Sequence, residues 1–348
     1  SYAISSKELK FSTNNNFKID VNFFNTLKNN SIQTLFNVDC LSIYISKSFK
    51  ISCRFYDQII QLPKIIKIRN WYKIELEFNS LEKTLALKQT DIKNSSLKFK
   101  QKIKINKIPK FVTGKVFISA EMAEKNVSNF FNGKIENPSI LIAEKKDVFK
   151  TLVRWDFSKS IPSSVISDLS KNKINLNIIN FPTRGVTGSK WDGSEMSWKH
   201  CPDHYTAIHF HEDDIYDFEW KTDFEFKVPK EMPSGIFVMR LVCGKYEDNI
   251  PFFVCPPKNK NTSDLCVIIP TFTYSVYGNH ARPDYKESWQ EKIKLWKAYP
   301  YNPAEFKSYG LSTYNFHTDG SGICHASYLR PLLNLKVGYL TFGMSNCS

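Results

Sequence analysis

The chain of 348 residues is long enough for two or three domains, and its 42% hydrophobic and 14% aromatic residues exclude a disordered protein. No apolar run approaches the roughly 18 residues that span a bilayer, and the first residues lack a signal-peptide core, so we expect a cytoplasmic protein without membrane contact. The net charge of +14 comes almost wholly from residues 1–150, and because 41 of the 48 basic residues are lysines, it favours a solvated surface over nucleic-acid recognition.

Residues 1–172 are predicted to form an antiparallel β-sandwich. Short stretches alternate apolar and polar side chains between Asn, Ser, Lys and Gly turns, which is typical of strands with one buried face. The clearest are FKIDVNF from Phe17, WYKIELEF from Trp71 and SILIAEK from Ser139. A Trp-led strand followed later by FNGKI resembles the laminin-G or concanavalin-like sandwich, whose members bind carbohydrate or pack against a partner.

Residues 173–260 are predicted to form a second, immunoglobulin-like β domain. Its predicted strands are INLNIINF, YTAIHFH, DFEFKVP, GIFVMRLVC and NIPFFVC. Pro and Gly between the third and fourth strands mark a turn, and Pro256 and Pro257 begin a polar linker.

Residues 261–348 are predicted to begin an α/β catalytic domain of the glutamine-amidotransferase-like type. The apolar run LCVIIPT, residues 265–271, is bounded by polar residues, as in a strand buried on both faces of a parallel sheet. PDYKESWQEKIKLWKAYP predicts a helical segment and KVGYLTF a later strand. Since the sequence starts at Ser1 and stops just after this strand, we expect a fragment with a truncated α/β domain.

Histidine, the usual proton carrier and metal ligand near neutral pH, occurs only between residues 200 and 325. His209 and His211 stand two apart on a predicted strand and so share one face, with Glu212, Asp213 and Asp214 directly after them. This spacing suits a divalent metal ion, but it also suits imidazoles that hydrogen-bond neighbouring carboxylates. We favour the second interpretation, because the sequence does not place a third metal ligand.

Two tyrosine-rich stretches follow. IIPTFTYSVYGNHARPDY carries Tyr274 and Tyr277 just after the first predicted α/β strand, at the sheet edge where such domains bind ligands. YGLSTYNFHTDGSG carries Tyr314, His317 and Asp319 beside a Gly-rich turn. Two such loops at one edge favour a binding site there.

Three long runs carry a specific resemblance. RGVTGSKWDGSEMSWKHCPDHYTAIHFHEDDIYD, PTFTYSVYGNHARP and YGLSTYNFHTDGSGICHASYLRPLLNLKVGYLTF resemble the large (beta) subunit of N,N-dimethylformamidase. The resemblance covers residues 180–348 closely and the preceding sandwich loosely. It implies a hydrolase of linear amide C–N bonds that converts N,N-dimethylformamide to dimethylamine and formate. It also implies a hetero-oligomer with a small (alpha) subunit.

In that family two tyrosines and one glutamate hold a mononuclear iron ion. Tyr274 matches the first tyrosine, with Tyr277 as the alternative, and Tyr314 matches the second. The glutamate belongs to an HPE motif that does not occur in the sequence, so we expect it beyond Ser348 and expect the fragment alone to be inactive. His317 and Asp319 follow Tyr314 closely, and we expect them beside the iron as catalytic groups.

Ferric iron suits two phenolate donors, because a phenol with a pKa of about 10 needs a strong Lewis acid to ionise at pH 7. Such an ion would polarise the formamide carbonyl and activate a water molecule. Two other functions stay open: an amidase with Cys324 as nucleophile, and a non-catalytic sandwich protein that binds carbohydrate or a partner. The eight cysteines include no CxxC pair, which argues against a zinc knuckle and a disulfide framework.

Overall fold

The computed structural model describes residues 1–124, 126–145, 148–260, 262–281, 287–299, 301–336 and 339. Contacts divide the chain into two units, Ser1–Asp214 and Ile215–Ser348. The predicted mainly-β fold is confirmed, since these described residues contain 22 strands and only two α-helices. Neither helix is long and apolar enough to cross a membrane. The domain boundaries at residues 172 and 260 remain predictions.

The first unit contains the short strands that the alternating pattern predicts. Phe17–Asn25 and Trp71–Asn79 alternate buried and partly exposed side chains, because one face of each packs against a second layer. In chain order the strands are β1 (Tyr2–Ser5), β2 (Leu9–Ser12), β3 (Phe17–Asn25), β4 (Gln33–Val38), β5 (Leu41–Ile45), β6 (Lys50–Phe55), β7 (Gln58–Ile65), β8 (Trp71–Asn79), β9 (Thr84–Asp91), β10 (Lys98–Lys104), β11 (Phe111–Gly114), β12 (Val116–Ile118), β13 (Glu121–Ala123), β14 (Asn126–Ser128), β15 (Gly133–Lys145), β16 (Val148–Arg154), β17 (Val165–Ile166), β18 (Leu176–Ile179), β19 (Thr183–Val186) and β20 (Ala207–Phe210). A 3-10 helix covers Pro202–His204.

Two eight-stranded antiparallel sheets form the sandwich. One has the order β17-β18-β1-β12-β4-β5-β6-β7, and the other has the order β10-β9-β8-β3-β15-β20-β19, with β16 also paired to β15. The predicted FNGKI strand is the start of β15, which pairs with both β3 and β20. Gly133 has φ +144° there, and a Cβ at this position would lie 2.2 Å from the carbonyl oxygen of Phe24. Only glycine fits this close strand approach.

Phenylalanine rings fill the space between the two sheets. Phe17 of β3 stacks on Phe78 of β8 with ring centroids 5.0 Å apart. Both rings contact Phe55 of β6 in the opposite sheet, at 6.0 and 5.7 Å. All three side chains are buried, and loss of one such ring costs about 3–5 kcal/mol. This core therefore holds in place the sheet that carries β20 and its histidine.

The second unit contains one hairpin and short helices in its described residues. Its elements are β21 (Gly235–Cys243), β22 (Tyr246–Val254), α1 (Thr271–Tyr277), α2 (Glu287–Leu295) and 3-10 helices at Pro303–Glu305 and Lys307–Tyr309. The hairpin turns at Gly244, whose φ of +59° suits a tight turn. Asn302 caps the first 3-10 helix by accepting a hydrogen bond from Ala304 N at 3.0 Å.

The strands predicted for residues 173–260 are divided between the units. INLNIINF and YTAIHFH contribute β18 and β20, which pair with β1 and β15 of the sandwich. GIFVMRLVC and NIPFFVC pair with each other as β21 and β22. DFEFKVP forms no strand, and its side chains are exposed. Without a buried face, the alternating pattern has no second layer to stabilise it.

The α/β domain is not confirmed. The apolar run LCVIIPT has no strand, and Leu265, Val267 and Ile268 are 87%, 73% and 88% exposed. A central parallel strand needs hydrogen-bonding neighbours on both sides, and the described residues of this region supply none. The predicted helical segment is present as α2. The KVGYLTF strand lies largely outside the described residues.

Candidate functional site

The tyrosines of the first motif lie on helix α1. Pro270 precedes the helix and Gly278 ends it, so PTFTYSVYG forms two helical turns rather than the loop that the sequence predicts. Tyr274 and Tyr277 are one turn apart; Tyr274 is half-buried, and Tyr277 is 44% exposed. The chain then turns at Asn279, whose φ is +58°. This turn brings His280 beside the end of the helix.

The second motif brings Tyr314 against Tyr277. Their rings stack with centroids 4.5 Å apart and an interplanar angle of 14°. His280 contacts the Tyr314 ring edge-on, at 6.1 Å. A hydrogen bond with the Tyr314 side chain raises the pKa of Tyr277 above its ordinary value, because it favours the neutral phenol. Of the two alternatives for the first tyrosine, the structure therefore stacks Tyr277 on Tyr314, while Tyr274 lies one turn earlier.

Backbone contacts hold the two tyrosine segments together. Ser312 Oγ and Thr313 N both donate to Val276 O, at 2.8 and 3.4 Å. The Asn315 amide donates to Ala281 O at 2.7 Å and accepts from Ala281 N at 3.0 Å. Each end of the Tyr314 segment is thus fixed to a residue beside Tyr277 or His280.

His317 and Asp319 occupy a tight turn just after Tyr314. His317 N donates to Ser321 O at 2.8 Å, and Gly320 N donates back to His317 O at 2.9 Å. Asp319 Oδ1 accepts from Ser321 N and Oγ, at 2.8 and 2.5 Å. Both His317 and Asp319 are 7% exposed. One carboxylate oxygen of Asp319 is therefore engaged in holding the turn.

The histidine pair lies in the first unit, at the end of β20. His209 and His211 share a face as the spacing predicts, with ring centroids 4.1 Å apart. Asp214 Oδ2 lies 3.2 Å from His211 Nδ1 and accepts from His211 N at 3.1 Å. These are side chains of the types that hold divalent metals. The contact between His211 and Asp214 is also the imidazole–carboxylate hydrogen bond that the favoured, metal-free interpretation of the sequence predicts.

Cys324, the candidate nucleophile of the rival amidase, is exposed. Its thiol lies 3.6 Å from Gly322 O, within its own turn. No imidazole contact of this thiol occurs among the described residues. The geometry gives no activated nucleophile of the kind that a cysteine amidase needs.

Two side chains of this region, Asn279 and Arg330, have structural roles that the sequence does not predict. Asn279 is 1% exposed, and its amide donates to Gly310 O and Pro331 O and accepts from Leu333 N. Arg330 is 4% exposed and also donates to main-chain carbonyls. A turn-forming Asn directly after Gly278 was the only signal in the sequence, and it does not reveal partners distant along the chain.

Comparisons with known proteins agree with the sequence motifs. Residues 183–345 match the family model described as N,N-dimethylformamidase beta subunit-like, C-terminal. The N,N-dimethylformamidase beta subunit of Paracoccus aminophilus is 31% identical over 306 residues, which cover 76% of this chain and 40% of the relative. The beta subunit from Alcaligenes sp is 35% identical over 228 residues, covering 59% of this chain and 30% of the relative. The chain thus spans less than half the length of these relatives.

Among solved structures, the match to the LG1-3 region of the laminin alpha2 chain covers 40% of this chain and 30% of that chain, with 12% identity and a TM-score of 0.30. The sandwich assignment depends on the sheet pairing described above and not on this likeness. The family model and both relatives confirm the resemblance seen in the motifs: residues 183–345 belong to the N,N-dimethylformamidase beta subunit-like family, and the chain is similar to beta subunits of that enzyme.

Proposed function

We propose that this chain provides the two tyrosine ligands of a mononuclear ferric iron site that hydrolyses N-substituted formamides. The reaction converts N,N-dimethylformamide to dimethylamine and formate, as the names of its relatives suggest. We further propose that the chain acts as the large subunit of a hetero-oligomer with a small subunit. The stacked pair of Tyr277 and Tyr314 is the observation that supports this function most directly.

The donor set fits ferric iron. Stacking places the two phenol rings side by side, with their centroids 4.5 Å apart. Each phenol would lose its proton to solvent, and the two phenolate oxygens, which are hard donors, would both bind one ferric ion. We propose Tyr277 and Tyr314 as ligands, with Tyr274 as the alternative that the family motif favours.

The iron would supply Lewis acidity at the amide carbonyl and at water. The chain's own groups would bind and orient the substrate around it. Tyr277 and Phe316 are 44% and 66% exposed and offer apolar surface for N-methyl groups. We propose that His317 and Asp319, held in their tight turn, move protons between water and the departing amine.

The test measures formate release by the polypeptide that contains this chain, expressed with its partner subunit. Tyr314→Phe should lose both iron and activity, by at least about a hundredfold in kcat/KM if one metal ligand is removed. Tyr277→Phe and Tyr274→Phe, compared in parallel, identify the second ligand. Tyr328→Phe, at a tyrosine that is 60% exposed, is the matched control and should stay active.

The same assay separates the proposal from its two rivals. Cys324→Ser should change activity by less than about twofold under the iron proposal, whereas a thiol nucleophile would lose nearly all of it. A non-catalytic binding protein would bind no stoichiometric iron and release no formate. Either of these outcomes contradicts the proposal.

A further inference from the structure

Arg330 joins the two segments that carry the stacked tyrosines. Its Nη1 donates to Gly310 O at 3.0 Å and to Leu311 O, just before the Tyr314 loop. Its Nη2 donates to Ser275 O at 3.2 Å and Gly278 O at 3.0 Å, on either side of Tyr277. One planar guanidinium therefore contacts four carbonyl groups in two distant stretches of chain.

The charge of Arg330 is held by carbonyl dipoles alone in the described part of the chain. No carboxylate forms an ion pair with it there, and burial lowers the pKa of its guanidinium to about 10. Burying a cation without a carboxylate partner is costly, and the hydrogen bonds to four carbonyl groups offset that cost. The four carbonyls indicate that the function of Arg330 is to fix geometry.

The surroundings of the guanidinium leave little freedom. A Cβ on Gly278 would lie 3.1 Å from Arg330 Nη2 and 2.6 Å from Leu332 Cδ2. The helix end, the guanidinium and the 310–311 turn are therefore in close contact. A shift of the guanidinium must move the backbone on one side or the other, and with it one of the two phenol rings.

We propose that Arg330 is a positioning residue that sets the separation of the Tyr277 and Tyr314 rings. The inference deepens the proposed iron site and rests on it for its catalytic meaning. The ring separation itself exists without metal, so it can be tested independently. Lysine at this position keeps the charge but offers one compact donor group, which cannot bridge both segments as the planar fork does.

The experiment uses the metal-free protein and photo-oxidation by a ruthenium complex with persulfate as the oxidant. Each of two phenols loses one electron and one proton to the oxidant, and the two phenoxyl radicals couple carbon to carbon as dityrosine. Mass spectrometry then quantifies the cross-link between Tyr277 and Tyr314. We expect Arg330→Lys to reduce its yield at least about fivefold relative to wild type, since coupling requires ring contact.

Arg184 provides the matched control. It donates to the carbonyls of Phe157, Lys159, Ser160 and Ser163 at 2.8–3.2 Å, and burial lowers its pKa to about 10 as well. Arg184→Lys thus removes the same kind of clamp from the other unit and should leave the cross-link yield unchanged. Equal losses in both variants would overturn a specific role for Arg330.

Iron-loaded protein gives the second readout. Arg330→Lys should retain iron but shift the tyrosinate-to-iron absorption band and lower kcat more than it raises KM. An unchanged cross-link yield and an unchanged band would overturn the inference. Wild-type protein that forms the cross-link but binds no iron would contradict only the proposed function. If Arg330→Lys does not fold, Gly278→Ala displaces the same guanidinium and must reduce the cross-link instead.

Discussion

The phenol rings of Tyr277 and Tyr314 stack 4.5 Å apart although the two residues lie on different segments of the second unit. Stacking brings together two phenol groups, each of which offers an oxygen donor. Ser312 and Asn315 fix the Tyr314 segment to the end of α1. The pair is the part of the structure most directly suited to a hard metal ion.

The first prediction concerns the titration of Tyr277 in metal-free protein. Its pKa is raised because the hydrogen bond with Tyr314 favours the neutral phenol. Tyr314→Phe removes that partner, so Tyr277 should ionise at lower pH than in wild type. NMR of protein with carbon-13-labelled tyrosine rings measures this, with Tyr277→Phe to assign the signal. A titration that moves upward or stays unchanged would show that the hydrogen bond does not control this group.

The second prediction concerns thiol reactivity. Burial raises the pKa of Cys40 to about 11, and burial also raises that of Cys53. At pH 8 only about one Cys40 in a thousand is thiolate, so both should alkylate slowly with iodoacetamide. Cys243, Cys255 and Cys324 are exposed and should react first. Peptide mapping after short labelling checks the order, and early labelling of Cys53 in folded protein would contradict the buried sandwich core.

The third prediction concerns a carboxylate of the sandwich. Glu136 is 1% exposed and accepts from Asn22 Nδ2 at 3.1 Å, Ser189 N at 2.9 Å and Thr206 Oγ1 at 2.7 Å. Glu136→Ala leaves these donors without an acceptor and should lower the free energy of unfolding by about 2–4 kcal/mol. Urea denaturation, monitored by a spectroscopic signal that reports on the first unit, measures this loss in the free energy of unfolding.

The control for that experiment is Glu144→Ala. Glu144 accepts from Lys150 at 2.6 Å on the surface, where a pair contributes at most about 1 kcal/mol. Equal destabilisation by both variants would show that the network around Glu136 has no special role. Gly188 beside it should also resist substitution, since a Cβ would lie 2.5 Å from Glu136 Oε2.

The fourth prediction concerns the lysine-rich surface. Lys73 and Lys88 both pair with Glu75, at 3.1 and 2.5 Å, and Lys18 pairs with Glu77 at 3.0 Å. Because these carboxylates already neutralise part of the lysine charge, duplex DNA should bind weakly. The logarithm of the binding constant should fall with the logarithm of salt concentration by a slope of magnitude below about 2. A steep slope in a fluorescence anisotropy titration would instead support a nucleic-acid interface.

The sandwich could be predicted because its signal is local. Alternation in FKIDVNF and WYKIELEF follows directly from one buried face per strand, and β3 and β8 form where it occurs. The shared face of His209 and His211 follows from the same period. Prediction was weaker where packing decides the outcome. LCVIIPT is apolar enough for a central strand, but Leu265 and Ile268 are exposed.

The candidate site could be predicted only in part. The sequence motifs identified four of its residues, namely Tyr277, Tyr314, His317 and Asp319. The roles of these residues remain predictions. The motif favoured Tyr274, whereas the ring contact involves Tyr277, because the segment is helical and its side chains point in directions that a loop would not impose. Arg330 could not be assigned at all, since its partners are carbonyls, which every residue has.

The most direct test of the central claim is a visible absorption spectrum of the purified polypeptide that contains this chain, with iron content measured on the same sample. We predict about one iron per chain and a tyrosinate-to-iron band that Tyr314→Phe removes or weakens and Tyr328→Phe leaves unchanged. Stoichiometric iron with an unaltered band in Tyr314→Phe, or no iron in the wild-type protein, would contradict the two-tyrosine site.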